Sequence, residues 1–124
     1  IYGYTRNTGD IDILLEDTTE NRINLRAAFK QIGIGDFPQI ETMQFVAGYT
    51  DFTISYDLRL DVMTSIKGLE NANFDELLQN ATIVYLNEVP VYFIDYDSLI
   101  LAKKATNRLK DQLDIEELNK LNNK

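Results

Sequence analysis

The hydrophobic pattern changes period several times along the chain, and each change marks an element. Ile11, Ile13, Leu14 and Leu15 follow Asp10 and Asp12 with strand character and no apolar helical stripe, which predicts an opening strand. Thr18-Thr19-Glu20-Asn21 then offers a helix start, and Leu25, Ala28, Phe29 and Ile32 recur at helical spacing until Gly33 and Gly35 end the run. Residues 36 to 42 read as a connection around Pro38. Gln44 to Gly48 and Asp51 to Ser55 suggest a hairpin joined at Gly48-Tyr49-Thr50. In the next strand Leu58, Leu60 and Val62 alternate with Arg59, Asp61 and Met63.

Asn73 to Leu78 makes a short helix, and Ala81 to Leu86 with Val89 to Phe93 make two short strands around Asn87-Glu88. The last third is helical, from about Tyr96 to Leu109 and again from Asp111 to Leu121. Leu113, Ile115, Leu118 and Leu121 form an apolar stripe expected to pack back onto the sheet, and Asn119 to Lys124 reads as a fraying end. This order predicts an α+β fold, a mixed β-sheet flanked by helices with a helical C-terminus. No internal repeat, low-complexity segment or linker breaks the pattern, so residues 1–124 are expected to form a single domain.

Composition narrows the chemistry. With 124 residues and 44% hydrophobic content, the chain can bury one core. It has neither Cys nor His, which rules out disulfides, thiolate zinc sites and imidazole ligands or bases. Catalysis must therefore run on carboxylates, hydroxyls, Lys or Arg. A net charge of −8 argues against broad affinity for nucleic acid, so a nucleotide is a more natural partner than a duplex. No run approaches about 18 apolar residues and no signal peptide opens the sequence, so no membrane partner is expected and the default location is cytoplasmic.

Two carboxylates at i and i+2 on a strand share one sheet face, so Asp10 and Asp12 read either as half of a divalent-metal site or as a solvated strand end. The other Asp-x-Asp pair, Asp95 and Asp97, precedes an evident helix and reads as capping. Asp61 lies on the strand face opposite Leu60 and Val62. If its strand pairs beside the one carrying Asp10 and Asp12, three carboxylates converge, an arrangement expensive without metal; otherwise Asp61 is an exposed strand aspartate. Lys103, Lys104, Arg108 and Lys110 form a basic run with no acidic residue among them. On a helix Lys104 and Arg108 share a face, suited either to one triphosphate or to plain solvation at a helix C-terminus.

The segment Tyr2-Gly3-Tyr4-Thr5-Arg6-Asn7-Thr8-Gly9-Asp10-Ile11-Asp12 resembles the Gly-x-x-Arg-x-Thr-x-Asp-Ile-Asp motif of the minimal nucleotidyltransferases of the polymerase-beta superfamily, the group that includes abortive-infection (AbiEii-like) toxins and uncharacterised relatives. Val89 to Asp111 is similar to that family's strand, Leu-Ile and Lys-x-Ala-x-x-Arg-x-Lys-Asp helix. The two motifs, with the Asp61 strand between them, cover nearly the whole chain. The resemblance implies a Mg²⁺- or Mn²⁺-dependent enzyme that moves a nucleoside monophosphate from a nucleoside triphosphate to an acceptor hydroxyl. Asp10, Asp12 and Asp61 would be its catalytic metal ligands, and Lys103, Lys104 and Arg108 its phosphate contacts. Arg6 and Thr8 would brace the turn before the metal strand or touch phosphate.

Family acceptors are transfer RNA, proteins or small molecules, and an antitoxin or a second copy of the chain is a candidate partner. The family's Gly-Gly or Gly-Ser turn, which grips the triphosphate, is missing before Asp10, so the sequence reads as truncated at its N-terminus. That departure motivates an alternative: a catalytically inactive nucleotide-binding or toxin–antitoxin partner-binding module of the same fold.

Overall fold

The computed structural model describes residues 10–45 and 50–122. These fall into two compact units, one between Asp10 and Ser65 and the other between Ile66 and Asn122. The fold class is α+β with a helical C-terminus, as the periodicity predicts. Among the described residues no helix is long and apolar enough to cross a membrane.

The first unit contains β1 (Asp10–Leu14), α1 (Thr19–Gln31), a 3-10 turn (Pro38–Glu41), β2 (Thr50–Ser55) and β3 (Leu58–Met63). Thr18 caps α1 by accepting from the Asn21 N–H at 3.1 Å. The helix stops at Gly33, whose φ of +85° suits glycine, and the Ile34 N–H closes the end on the Phe29 carbonyl at 3.0 Å. β3 is the central strand of a mixed sheet ordered β1-β3-β2, parallel to β1 and antiparallel to β2. A parallel pair needs a long crossover, and α1 supplies it.

Leu25 and Phe29 of α1 pack on Leu60 and Val62 of β3, with Ile40 from the 3-10 turn fully buried among them. Phe52 meets Phe29 edge-to-face at 4.9 Å between ring centroids. Two arginines on α1 fold the connection onto this core. Arg22 pairs with Asp17 at 2.6 Å, donates to the carbonyls of Ile40 and Met43, and lies 4.6 Å from the Phe45 ring centroid. Arg26 binds Asp36 and Glu41 together.

The hairpin predicted between 44–48 and 51–55 is corrected. Residues 46 to 49 lie outside the described residues, but Gln44 and Phe45 are not in a strand, and β2 pairs instead with β3 across the turn at Tyr56-Asp57. The apolar character of Phe45 that suggests a strand serves burial in the core beside Arg22.

The second unit holds α2 (Phe74–Asn80), β4 (Thr82–Leu86), β5 (Val89–Phe93), α3 (Tyr96–Thr106) and α4 (Leu109–Asn122). β4 and β5 make a separate antiparallel hairpin, not further strands of the mixed sheet. Its two-residue loop, Asn87 and Glu88, has positive φ at both positions, which matches the twist of the flanking strands. Asp95 caps α3 by accepting from the Ser98 N–H at 2.9 Å and its hydroxyl at 2.7 Å, which confirms capping as its role. Gly68, at φ +92°, comes so close to α3 that a Cβ there would sit 2.7 Å from the Ala105 Cβ and 3.0 Å from the Leu101 carbonyl oxygen.

The C-terminal helices depart from expectation in three ways. Asn107 adopts a left-handed conformation, φ 48°, and closes α3 on the Lys103 carbonyl, so the break falls at 107 and 108 rather than after Leu109. α4 packs on α3 with Asp111, Asp114 and Leu118 inward, whereas Leu113 and Leu121 of the expected stripe stay exposed. The helix also runs on through Asn122 instead of fraying from Asn119, with Asn119 accepting from the Tyr96 hydroxyl at 2.7 Å.

These contacts set the cost of two substitutions. Arg22→Ala strands two carbonyls and removes the cation from the Phe45 ring, so urea unfolding should show a loss of about 2–3 kcal/mol; Arg22→Lys should recover less than half, because an ammonium lacks the planar fork. Gly68→Ala combines a disfavoured backbone conformation with a clash, and the same measurement should read a loss of about 3 kcal/mol.

Candidate functional site

Side chains alternate across a strand, so the apolar face that β1, β2 and β3 turn toward α1 dictates what the opposite face carries. Ile13, Leu60, Val62, Phe52 and Ile54 face the core. Asp10 and Asp12 of β1, Arg59 and Asp61 of β3, and Asp51 and Thr53 of β2 are thereby placed on the other face. The register sets them in two rows across the sheet. Asp12 pairs with Asp61, which pairs with Asp51; Asp10 pairs with Arg59, which pairs with Thr53. Neighbouring strands are roughly 4.8 Å apart, so each row is a line of adjacent side chains.

The structure thus places the strand of Asp61 directly beside that of Asp10 and Asp12. Asp10 and Asp12 are exposed, whereas Asp61 is half-buried. Its Oδ1 is shielded from solvent with no hydrogen-bond partner among the described residues, an unusual state for a carboxylate oxygen. Arg59 does not turn to that oxygen. Its guanidinium forms a two-pronged pair with Asp51, the Nε donating to Oδ1 at 3.1 Å and a terminal nitrogen to Oδ2.

A divalent ion fits this face in part. The unpartnered Oδ1 of Asp61 and the carboxylate of Asp12 in the adjacent register position are hard oxygen donors of the kind Mg²⁺ and Mn²⁺ take. As the side chains stand, no group of three carboxylates among the described residues is close enough to hold one ion. Backbone register therefore supplies the placement, and side-chain rotation would have to complete it.

Asp51 is the residue of this face that the hydropathy pattern alone does not single out. Its signal is present, since Asp51, Thr53 and Ser55 alternate with Phe52 and Ile54. Using it requires knowing that β2 pairs with β3, which the expected hairpin conceals.

The other candidates lie elsewhere in the chain. Arg6 and Thr8 are outside the described residues. Lys103, Lys104 and Arg108 belong to the second unit, and the premise that Lys104 and Arg108 share a helical face is corrected by the break at Asn107. Lys103 donates to Asp114 at 2.9 Å, and Arg108 grips Asp111 with its Nε at 2.7 Å and a terminal nitrogen at 3.1 Å. The Arg108 backbone N–H and the Thr106 hydroxyl also donate to Asp111, at 3.1 and 2.7 Å. Lys104 is exposed.

Asp111 and Asp114 are 1% and 2% exposed, so the helical junction is built on buried carboxylates. Burial alone would push the Asp111 carboxyl up; the hydrogen bonds from Arg108 and Thr106 outweigh it and hold the group well below its ordinary value.

No protein-family model matches the chain, and no curated protein or solved structure matches it either.

Because Asp111 titrates lower in the folded chain than in the unfolded one, its stabilising contribution is complete above its ordinary value of 3.8 and is lost as pH falls toward the depressed one. Asp111→Asn should therefore reduce stability at pH 7 by about 3 kcal/mol, the lower end for a buried pair because Arg108 is 58% exposed. Urea unfolding across pH 2–7 should also show a flatter acid limb for the variant than for the parent chain.

Proposed function

We propose that this chain is a metal-dependent nucleotidyltransferase of the polymerase-beta type, acting in the cytoplasm on a nucleoside triphosphate. The observation that carries the reading is the parallel pairing of β1 with β3, which sets Asp12 beside Asp61 on a polar sheet face. The segment resembling the family's Asp-Ile-Asp motif and the segment expected to supply the third carboxylate are thus neighbours in space as well as in order.

In this reading Asp10, Asp12 and Asp61 would hold Mg²⁺ or Mn²⁺, and the ion would supply charge neutralisation for the triphosphate and the leaving pyrophosphate. Asp61 has a second task. Its carboxylate would accept the proton of the acceptor hydroxyl as that oxygen bonds to the α-phosphorus and the bond to the pyrophosphate oxygen breaks. The rigid strands keep the carboxylates at fixed register, so most of the rate comes from positioning and electrostatics. The acceptor is a transfer RNA, a protein or a small molecule carrying a free hydroxyl.

A second reading has its own support. Lys103 and Arg108, the cations suited to phosphate, are committed to Asp114 and Asp111, which favours a nucleotide-binding or antitoxin-binding module without catalysis.

Calorimetric titration of Mn²⁺ with each nucleoside triphosphate, paired with transfer of an α-labelled phosphoryl group, separates the two. Asp12→Asn and Asp61→Asn should each lower transfer at least about 100-fold and abolish metal-dependent binding, with no change in fold by circular dichroism. Nucleotide binding indifferent to both the metal and Asp12→Asn would establish the second reading instead.

A further inference from the structure

A strand at the edge of a sheet offers unpaired N–H and C=O groups to any other extended chain, so folded proteins guard such edges with charges or proline. Four of the described strands are edges. β1 carries Asp10 and Asp12, β2 carries Asp51, and β5 carries Pro90. β4, Thr82–Leu86, has neither a charge nor a proline.

The register of the hairpin shows which backbone groups that edge presents. The pair that closes a two-residue loop, here Leu86 with Val89, exchanges both of its hydrogen bonds across the hairpin, and bonded pairs alternate with non-bonded ones from there. Val84 with Val91 and Thr82 with Phe93 are thus bonded inward as well. The backbone groups of Ile83 and Tyr85 on β4, and of Pro90 and Tyr92 on β5, point away from the hairpin. Pro90 has no N–H to offer, so it blunts the outer edge of β5. Ile83 and Tyr85 each turn out a donor and an acceptor, and among the described strands none lies beyond β4.

The side chains agree with the backbone. Alternation puts Ile83, Tyr85, Pro90 and Tyr92 on one face, and all four are exposed, whereas Val84, Val91 and Phe93 on the other face are half-buried. Residues 82 to 93 hold a single charged side chain, Glu88, in a sequence that is 26% charged, and depletion of charge marks the core of a protein interface.

We propose that β4 is a dimerisation edge whose occupant is β4 of a second copy of this chain, antiparallel about a twofold axis at Val84. In that register Ile83 exchanges a pair of hydrogen bonds with Tyr85 of the second copy, and Tyr85 a pair with its Ile83. Each isoleucine side chain then meets a tyrosine ring, a favourable cross-strand pair. A peptide of arbitrary sequence would match the backbone alone, but a second β4 matches side chains too, and symmetry repeats the match at both ends of the strand. Repulsion between two chains of charge −8 spares the seam, because the two Glu88 loops fall at its opposite ends, roughly 20 Å apart against a Debye length of about 8 Å. The product is a four-stranded sheet bounded by two proline-bearing β5 strands, which oppose further addition.

Sedimentation equilibrium of the full chain from about 1 to 500 μM should show the average mass rising toward that of a dimer. Ile83→Lys places an ammonium in the seam and should weaken association at least about tenfold, although it lowers the net negative charge. Tyr92→Lys makes the same change in charge on the same face, one strand away from the seam, and should leave association within about twofold of the parent chain. The sequence has no cysteine, so Val84→Cys under air oxidation should give a disulfide-linked dimer, whereas Thr82→Cys, opposite Leu86 in this register, should not. That cross-link reads the register without relying on the fold of a charged variant. A parent chain that stays monomeric to about 500 μM overturns the proposal and leaves the edge to an extended segment of another protein. A dimer that Ile83→Lys does not weaken, or that links Thr82→Cys as readily as Val84→Cys, forms through another surface and overturns it equally.

Discussion

The parallel ladder between β1 and β3 is the constraint on which the first unit depends. A shift of one residue would exchange the two faces of β1, turning Ile13 out and Asp12 into the core. Each aliphatic side chain withdrawn from water contributes about 1.5–3 kcal/mol, and Leu60 and Val62 are both buried on β3 opposite α1. Setting Asp12 next to Asp61 on the other face costs roughly 1 kcal/mol in water-like surroundings. Core burial wins, and the carboxylates are brought together as its consequence. A potential site arises here as a consequence of packing.

In the second unit the balance runs the other way, because charge itself is buried. Asp111 and Asp114 occupy inward positions of α4 where the sequence pattern favours leucines, and they remain there because Lys103, Thr106 and Arg108 supply their hydrogen bonds. An unpartnered buried carboxylate would be far more costly than an exposed one. The left-handed turn at Asn107 is what makes the arrangement possible, since it brings Arg108 out of the α3 spiral and lets both its backbone N–H and its side chain reach Asp111. The Lys-x-Ala-x-x-Arg-x-Lys-Asp run thus has a structural account that needs no ligand: Lys103, Arg108 and Asp111 tie two helices together, and Ala105 is small where Gly68 passes.

Local chemistry is the legible part of this sequence. The cap at Thr18, the stop at Gly33, the tight loop at Asn87-Glu88 and the cap at Asp95 each depend on a few neighbouring residues, and the pattern exposes them. Pairings between distant strands are harder. The sequence poses the placement of β3 beside β1 only as a condition, because alternation fixes the face of a strand and says nothing of its neighbour. The partner of β2 is misplaced for the same reason, and Asp51 escapes notice with it. Phe45 misleads because a buried loop aromatic and a strand aromatic have the same hydropathy. Asn107 misleads because one left-handed residue leaves the apolar period on either side almost intact.

The charge on the sheet face limits which partners suit it. Asp10, Asp12, Asp51 and Asp61 stand against Arg59 alone among the described residues of that face, and Arg59 is already paired with Asp51. A bare triphosphate approaching such a surface meets like charge, and the repulsion grows as the phosphate displaces screening water. A triphosphate accompanied by divalent cations reverses that sign, since the ion is attracted by the carboxylates and the phosphate by the ion. In the proposed function, metal dependence is therefore a condition for nucleotide binding before it is a condition for chemistry.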